Sequence, residues 1–231
     1  MRGGAGGHSL DLDRWRFILD EAVTRVAGRF VRAEPRRTAG QIVEGLLPEA
    51  DRKTCWSLAE RAGHADPQAM QRLLRTAVWD AEAVRDDVRD WLVEQRGHPD
   101  AVLVTDETGF PKKGECSVGV QRQYTGTAGR IENSQVGVFL AYVTPAGRAL
   151  IDRRLYLPET TWCDQPDRLA AAGVPDDMGF ATKPGLARQM IAAATRPGEH
   201  RWLLIRRNRT TGELARPGRP DNPRRHHRPA A

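Results

Sequence analysis

The apolar residues of this chain change their spacing at Pro99, and that change constrains the fold more than any other feature of the sequence. Before Pro99, apolar side chains recur every three or four positions, the period of a helix that buries one face. After it they run in short β-branched blocks, the pattern of strands. The two periods occupy separate blocks of the chain, so the expected class is α/β without the regular strand–helix alternation of a doubly wound sheet. A helical N-terminal domain over residues 1–98 is expected to precede a sheet domain over 99–195. Residues 196–231 are expected to hold a late strand and a basic tail.

In the first block, Leu12, Trp15, Leu19, Val23, Val26 and Phe30 form one stripe, with Pro35 just beyond it. RRTAGQIVEGLL ends at Pro48, and RKTCWSLAERAG ends on Gly63, a residue suited to the left-handed turn that closes a helix. Asp66-Pro67 opens a fourth segment with Met70, Leu73, Leu74 and Val78. Asp80 caps a fifth, DAEAVRDDVRDWLVEQRG. The tryptophans at 15, 56, 79 and 91 fall on the apolar stripes and are expected to pack in the core. No single helix is rich enough in Arg or Lys to be named as a reader of the major groove.

After Pro99 the expected strands are AVLVTD (101–106), QVGVFLAYV (135–143) and RALIDRRLYL (148–157). The last two are joined by the turn Thr144-Pro145-Ala146-Gly147. A Gly- and Lys-containing excursion separates the first two. Past Pro158 an irregular stretch leads to a helix, GLARQMIAAA, and RWLLIRR could form one more strand.

Net charge is +6, which invites a nucleic-acid partner. From Thr195 onward, however, ten Arg face three acids; against +6 overall, the rest of the chain carries −1. The basicity belongs to the tail, whose Pro/Arg composition is that of a disordered segment. Cysteines at 55, 116 and 163 have neither disulfide nor zinc spacing and are expected to be reduced thiols. No apolar run reaches the roughly 18 residues of a membrane span, and the N-terminus has no apolar signal core. A cytoplasmic, nucleoid-associated protein is expected.

The first strand runs into two adjacent carboxylates, Asp106 and Glu107. An acid where strand pairing ends can face a pocket, and magnesium, which prefers hard oxygen ligands, suits it. The alternative is an Asx-turn ahead of Gly109. A phosphoaspartate site would want an acid where Thr108 stands. A phosphate-binding loop would want Lys-Ser or Lys-Thr after its last glycine, which neither GFPKKGE nor GTAGRIE supplies. No nucleophile elbow is present. What remains is a metal-binding aspartate on the first strand of a three-stranded meander, the opening of a ribonuclease-H-like sheet. Lys112, Lys113, Arg122, Tyr124 and Arg130, with Gln123, follow in the excursion. They read either as contacts to a DNA backbone, with Tyr124 stacking on a base, or as a solvated basic loop.

The run TDETGFPKKGECSVGVQRQYTGTAGRIENSQVGVFLAYV resembles the opening of the catalytic domain of bacterial insertion-sequence transposases, DDE superfamily endonucleases of the insertion sequence 701 type. ALIDRRLYLPETTWCDQPDRLAAAGVPDDMGFATKPGLARQMI continues the likeness, and RTAGQIVEGLLPEADRKTCWSLAERAG extends it upstream, so that it covers roughly residues 14–194. The resemblance implies two Asp and one Glu holding two divalent ions, Mg²⁺ by expectation, for in-line attack on a phosphodiester. It places Asp106 as the first acid and as a metal ligand. Glu107 should point to the other sheet face and takes no catalytic role. It implies transposon-end DNA as partner, with another copy or a full-length transposase as a second.

The family's next strand, resembling Trp-Val-x-x-Asp-x-x-Tyr-Gly and carrying the second acid, has no counterpart after Ala194, nor has the third acid. Asp152, Asp164, Asp167, Asp176, Asp177 and Glu213 are not convincing substitutes. The expectation is therefore an internally deleted or truncated transposase, inactive by itself, with a weak or absent metal site and an incomplete ribonuclease-H-like domain of three strands and a helix. The alternatives are a DNA-binding remnant that competes with a full-length transposase, and a decayed product that folds poorly.

Overall fold

The computed structural model describes residues 12–49, 52–195 and, as backbone only, 203–206. The chain divides between His98 and Pro99 into two compact units. The expectations for the N-terminal glycines and for the basic tail from Arg207 onward lie outside the described residues.

The first unit is helical: α1 (Leu12–Val26), α2 (Ala33–Leu46), α3 (Cys55–Arg61), α4 (Gln68–Arg75) and α5 (Ala81–Arg96). The capping residues do what their chemistry predicts. Asp80 Oδ1 accepts from Ala83 N at 2.8 Å and Thr54 Oγ1 from Ser57 N at 3.2 Å. Gly63 closes the α3 segment at φ +77°. α1 packs on α5, and α2 packs on α3 and α4. Leu58, Ala59 and Met70 form a buried centre. Gly45 lets α2 approach it, because a Cβ there would stand 2.7 Å from Leu58 Cδ2. Phe30 and Trp79 stack at 5.5 Å between ring centres, and Trp79 Nε1 donates to Leu73 O at 3.1 Å.

Three expectations for this unit need correction. The fourth helix stops at Arg75, so Val78 lies beyond it and is exposed, as is Leu74. The second helix begins at Ala33, ahead of the expected RRTAG, so Pro35, beyond α1 as expected, sits in the first turn of α2, where its missing N–H costs nothing. Trp15 and Trp56 are 51% and 65% exposed, because a short helix packed on one or two neighbours cannot bury every residue of a broad stripe.

The second unit is a five-stranded sheet with helices, a mixed α/β arrangement. β1 (Val102–Pro111), β3 (Arg130–Thr144) and β4 (Gly147–Tyr156) pair antiparallel with β3 in the middle. β2 (Gln121–Thr125) pairs with the first residues of β3, turning at Gly129 with φ +69°. After β4 come a π-helical turn (Glu159–Cys163), α6 (Pro166–Ala171) and α7 (Lys183–Ala194), which packs on β1, β3 and β4. β5 (Leu203–Arg206) then lies parallel beside β1, with Arg206 opposite Thr105.

The expected three-stranded meander is thus too small. The excursion contains a strand, β2, and the late strand expected in RWLLIRR forms as Leu203–Arg206 beside β1. The stretch from Pro158 to Pro184, expected to be irregular, holds the π-helical turn and α6. Buried Trp162 anchors it, donating from Nε1 to Val120 O at 2.9 Å. β2 was not visible as a period, because QRQYT carries polar residues throughout.

Candidate functional site

Strand parity sorts the side chains of the sheet. On β3, Ser134, Val136, Val138, Leu140 and Tyr142 are buried, whereas most of the residues between them are partly exposed. α7 covers the buried face. Partners directly opposite in antiparallel strands share a face. Asp106 pairs with Phe139 and therefore belongs to the other, more open face; Glu107 pairs with Val138 and belongs to the covered one.

The covered face accounts for Glu107. Its Oε2 lies 2.9 Å from Lys183 Nζ at the start of α7, and that ammonium also stands 5.4 Å from the Tyr156 ring centre. Burial above all, then the nearby Cys163, Glu159 and Glu107 charges, hold the Tyr156 phenol above its ordinary value. Glu107 thus ties β1 to α7.

Asp106 is exposed, and its surroundings differ from the expectation. β1 does not end there; it continues to Pro111, so the acid sits in mid-strand. It does not cap a turn: Oδ1 accepts from the next backbone amide, Glu107 N, at 2.9 Å. Along the same face Gly137 leaves space for aromatic rings, since a Cβ there would stand 2.8 Å from Phe139. Phe110 and Phe139 meet edge to face over it at 6.3 Å. The carboxylate therefore stands on an open face beside an aromatic wall.

Asp152 cannot join it on that face. It pairs with Leu140, is buried on the α7 side, and its Oδ1 accepts from Arg153 N at 2.7 Å. Asp164, Asp167, Asp176 and Asp177 are exposed in the connector. Among the described residues no three His, Cys, Asp or Glu side chains form a group that could hold a metal ion.

The basic residues of the excursion are spread over β2, its turn and the loop before it. Arg122 pairs with Asn133 and Tyr124 with Ile131, so both share its face. Their rows lie six to eight positions of β3 from Phe139, the partner of Asp106, although Thr125 at the end of β2 comes back against Gly109. Lys113 is exposed and Lys112 half-buried, six residues along the chain from Asp106. Arg130 is exposed at the turn and bonds Glu132 at 2.7 Å. The set forms a track along β2 and the loop before it.

What sequence reasoning missed is the bracing of that track. Asn133 Nδ2 donates to Lys112 O and Gly114 O at 3.0 and 2.9 Å, and Gln135 Nε2 to Val118 O at 2.6 Å. From the connector, Arg168 lies over the Trp162 ring at 3.9 Å and donates to Glu115 O at 2.9 Å. The signal was the pair of carboxamides at alternating positions of one strand, Asn133 and Gln135, facing a loop rich in unpaired backbone.

Comparison with known proteins identifies the family. The sequence profile of the DDE superfamily endonucleases matches residues 25–205. A curated relative, the "Probable transposase for insertion sequence element IS701" of Microchaete diplosiphon, is 36% identical over 96 residues. That stretch is 41% of this chain and 25% of the relative, so the match spans a quarter of the relative's length. No solved structure matches the chain significantly. With the profile running from the helical unit through the sheet to β5, the chain belongs to the DDE superfamily endonucleases, the family of insertion-sequence transposases.

Proposed function

We propose that this chain is an insertion-sequence transposase whose second unit is a ribonuclease-H-like domain with Asp106 as its first acid. In this reading it binds transposon-end DNA but does not complete cleavage by itself. The observation that carries the proposal is the placement of Asp106: mid-strand on β1, on the open face, with β5 returning parallel beside it after α7. The family resemblance implies a meander, a helix and then a strand carrying the second acid; the strand that follows α7 here, LLIR, has none.

The residues present fit one water-rich divalent ion shared with a phosphate, because magnesium needs few protein oxygens. They do not fit a two-ion centre, since Asp152 is buried on the far face and LLIR of β5 contains no acid. When bound, such an ion would neutralise phosphate charge next to Asp106. The chain's own part is to hold DNA along the open face, with Arg122, Tyr124, Lys112, Lys113 and Arg130 as contacts to backbone and bases. A non-catalytic role, occupying transposon ends in competition with a full-length transposase, follows from the same geometry. The purified chain, incubated with Mg²⁺ and supercoiled plasmid carrying transposon ends, is expected to shift the DNA without nicking it. Nicking that disappears in Asp106→Ala would overturn the inactive reading, and no binding to any duplex would overturn the transposase reading itself.

A further inference from the structure

The helical unit carries a groove of about 760 Å³ between the start of α2 and the C-terminal half of α4. Its lining is largely carbon, including Val31, Pro35, Ala69, Leu73 and Val78, with Arg32 and Arg72 also lining it. Arg32 is the extended residue just before α2 and Arg36 lies in the first turns of that helix, while Arg72 and Arg75, three apart in α4, share a helix side. Arg37 lies next to Arg36. All five guanidinium-bearing residues are exposed, and among the described residues none has its side chain in an ion pair or hydrogen bond. Glu34 is the acid in the lining.

The arginines on the α1/α5 side of the same unit are arranged differently. Arg25 is bound by Glu94, Arg29 by Asp87, and Arg85 by Glu82 and Asp86. Arg25, Arg29 and Arg85 are thus neutralised, whereas the five arginines about the α2/α4 groove have no acid bonded to them among the described residues. Five neighbouring cations, with Glu34 the one acid in the lining and not bonded to any of them, repel one another unless a polyanion meets them. No single segment is rich enough to show this; the packing of α2 on α4 brings the two sets together.

We infer that the α2/α4 groove seats the sugar–phosphate ridge of duplex DNA. Arg32, Arg36, Arg72 and Arg75 take phosphates, and the apolar lining takes deoxyribose carbon. The inference rests on the proposed function for the nature of the partner, and adds a surface on the helical unit through which that partner is held.

The test is fluorescence anisotropy of the full chain with a labelled, mixed-sequence duplex, without metal, over a range of salt. The combined variant Arg32→Gln, Arg36→Gln, Arg72→Gln, Arg75→Gln is expected to flatten the slope of log affinity against log salt by about 0.9 per lost contact, roughly 3 to 4 in all. The matching Arg→Lys variant keeps the charge and is expected to keep the slope. Should the Gln variant lose its cooperative melt, Arg36→Gln and Arg75→Gln singly each carry an expected change of about 0.9. A folded Gln variant with the parental slope overturns the groove and leaves the proposed function standing. A parent chain that binds no duplex overturns both. Loss of affinity for a Glu-rich amphipathic peptide, with DNA binding unchanged, makes the groove a protein site and overturns the inference.

Discussion

Asp106 and Glu107 are chemically similar neighbours that strand parity sends to opposite faces. Glu107 is matched by Lys183, while Asp106 faces outward with a bond only to the next amide among its hydrogen bonds. Asp106→Asn is therefore expected to change stability by no more than about 0.5 kcal/mol, since the site is exposed and the amide oxygen can accept the same bond. It should remove any Mg²⁺-dependent gain in DNA affinity. Titration of a labelled duplex with and without the ion reads the second effect, and urea unfolding the first. Lys183→Met breaks a partly exposed pair, so its cost is set by surface electrostatics and should stay below about 1 kcal/mol in the same unfolding experiment. The alternation that separates the two acids was legible in the letters. That β1 runs five residues past Asp106 was not, because Glu-Thr-Gly looks like a turn until β3 is present to pair with it.

Among the elements, β2 depends on a single missing side chain. Gly109 faces Thr125 so closely that a Cβ would stand 1.9 Å from Thr125 Oγ1. Its φ is not positive, so the need for glycine here is contact and not backbone freedom. Gly109→Ala is expected to cost about 1–3 kcal/mol by forcing β1 and β2 apart, read as a lower denaturant midpoint. The connector after β4 depends on Trp162, buried with its indole N–H bonded to Val120 O. Trp162→Ala should cost about 3–5 kcal/mol and release the 112–120 loop, seen as faster amide exchange there with β1 and β3 still protected. The sequence left the role of this tryptophan open, since its partner carbonyl lies 42 positions away.

At the scale of the whole chain, acid should weaken the helical unit. The Arg29 guanidinium, bonded to Asp87 at 2.6 Å, holds that carboxyl below the ordinary carboxylate range, and Arg25 does the same for Glu94. The folded state then binds fewer protons than the unfolded one as these groups titrate. Their contribution is present above the unfolded carboxylate pKa and is lost as pH falls through the depressed folded value. The melting temperature is expected to drop below about pH 4, and Asp87→Asn should reduce that dependence. The sequence by itself determined the helical and strand blocks, the caps at Gly63 and Asp80, and the family, because period, capping and collinear motif are local properties. Only the tertiary structure decided which strands join the sheet, which acids share a face, and which arginines meet at the α2/α4 groove. Those depend on pairing and packing between residues far apart in the chain, where no local pattern carries the information.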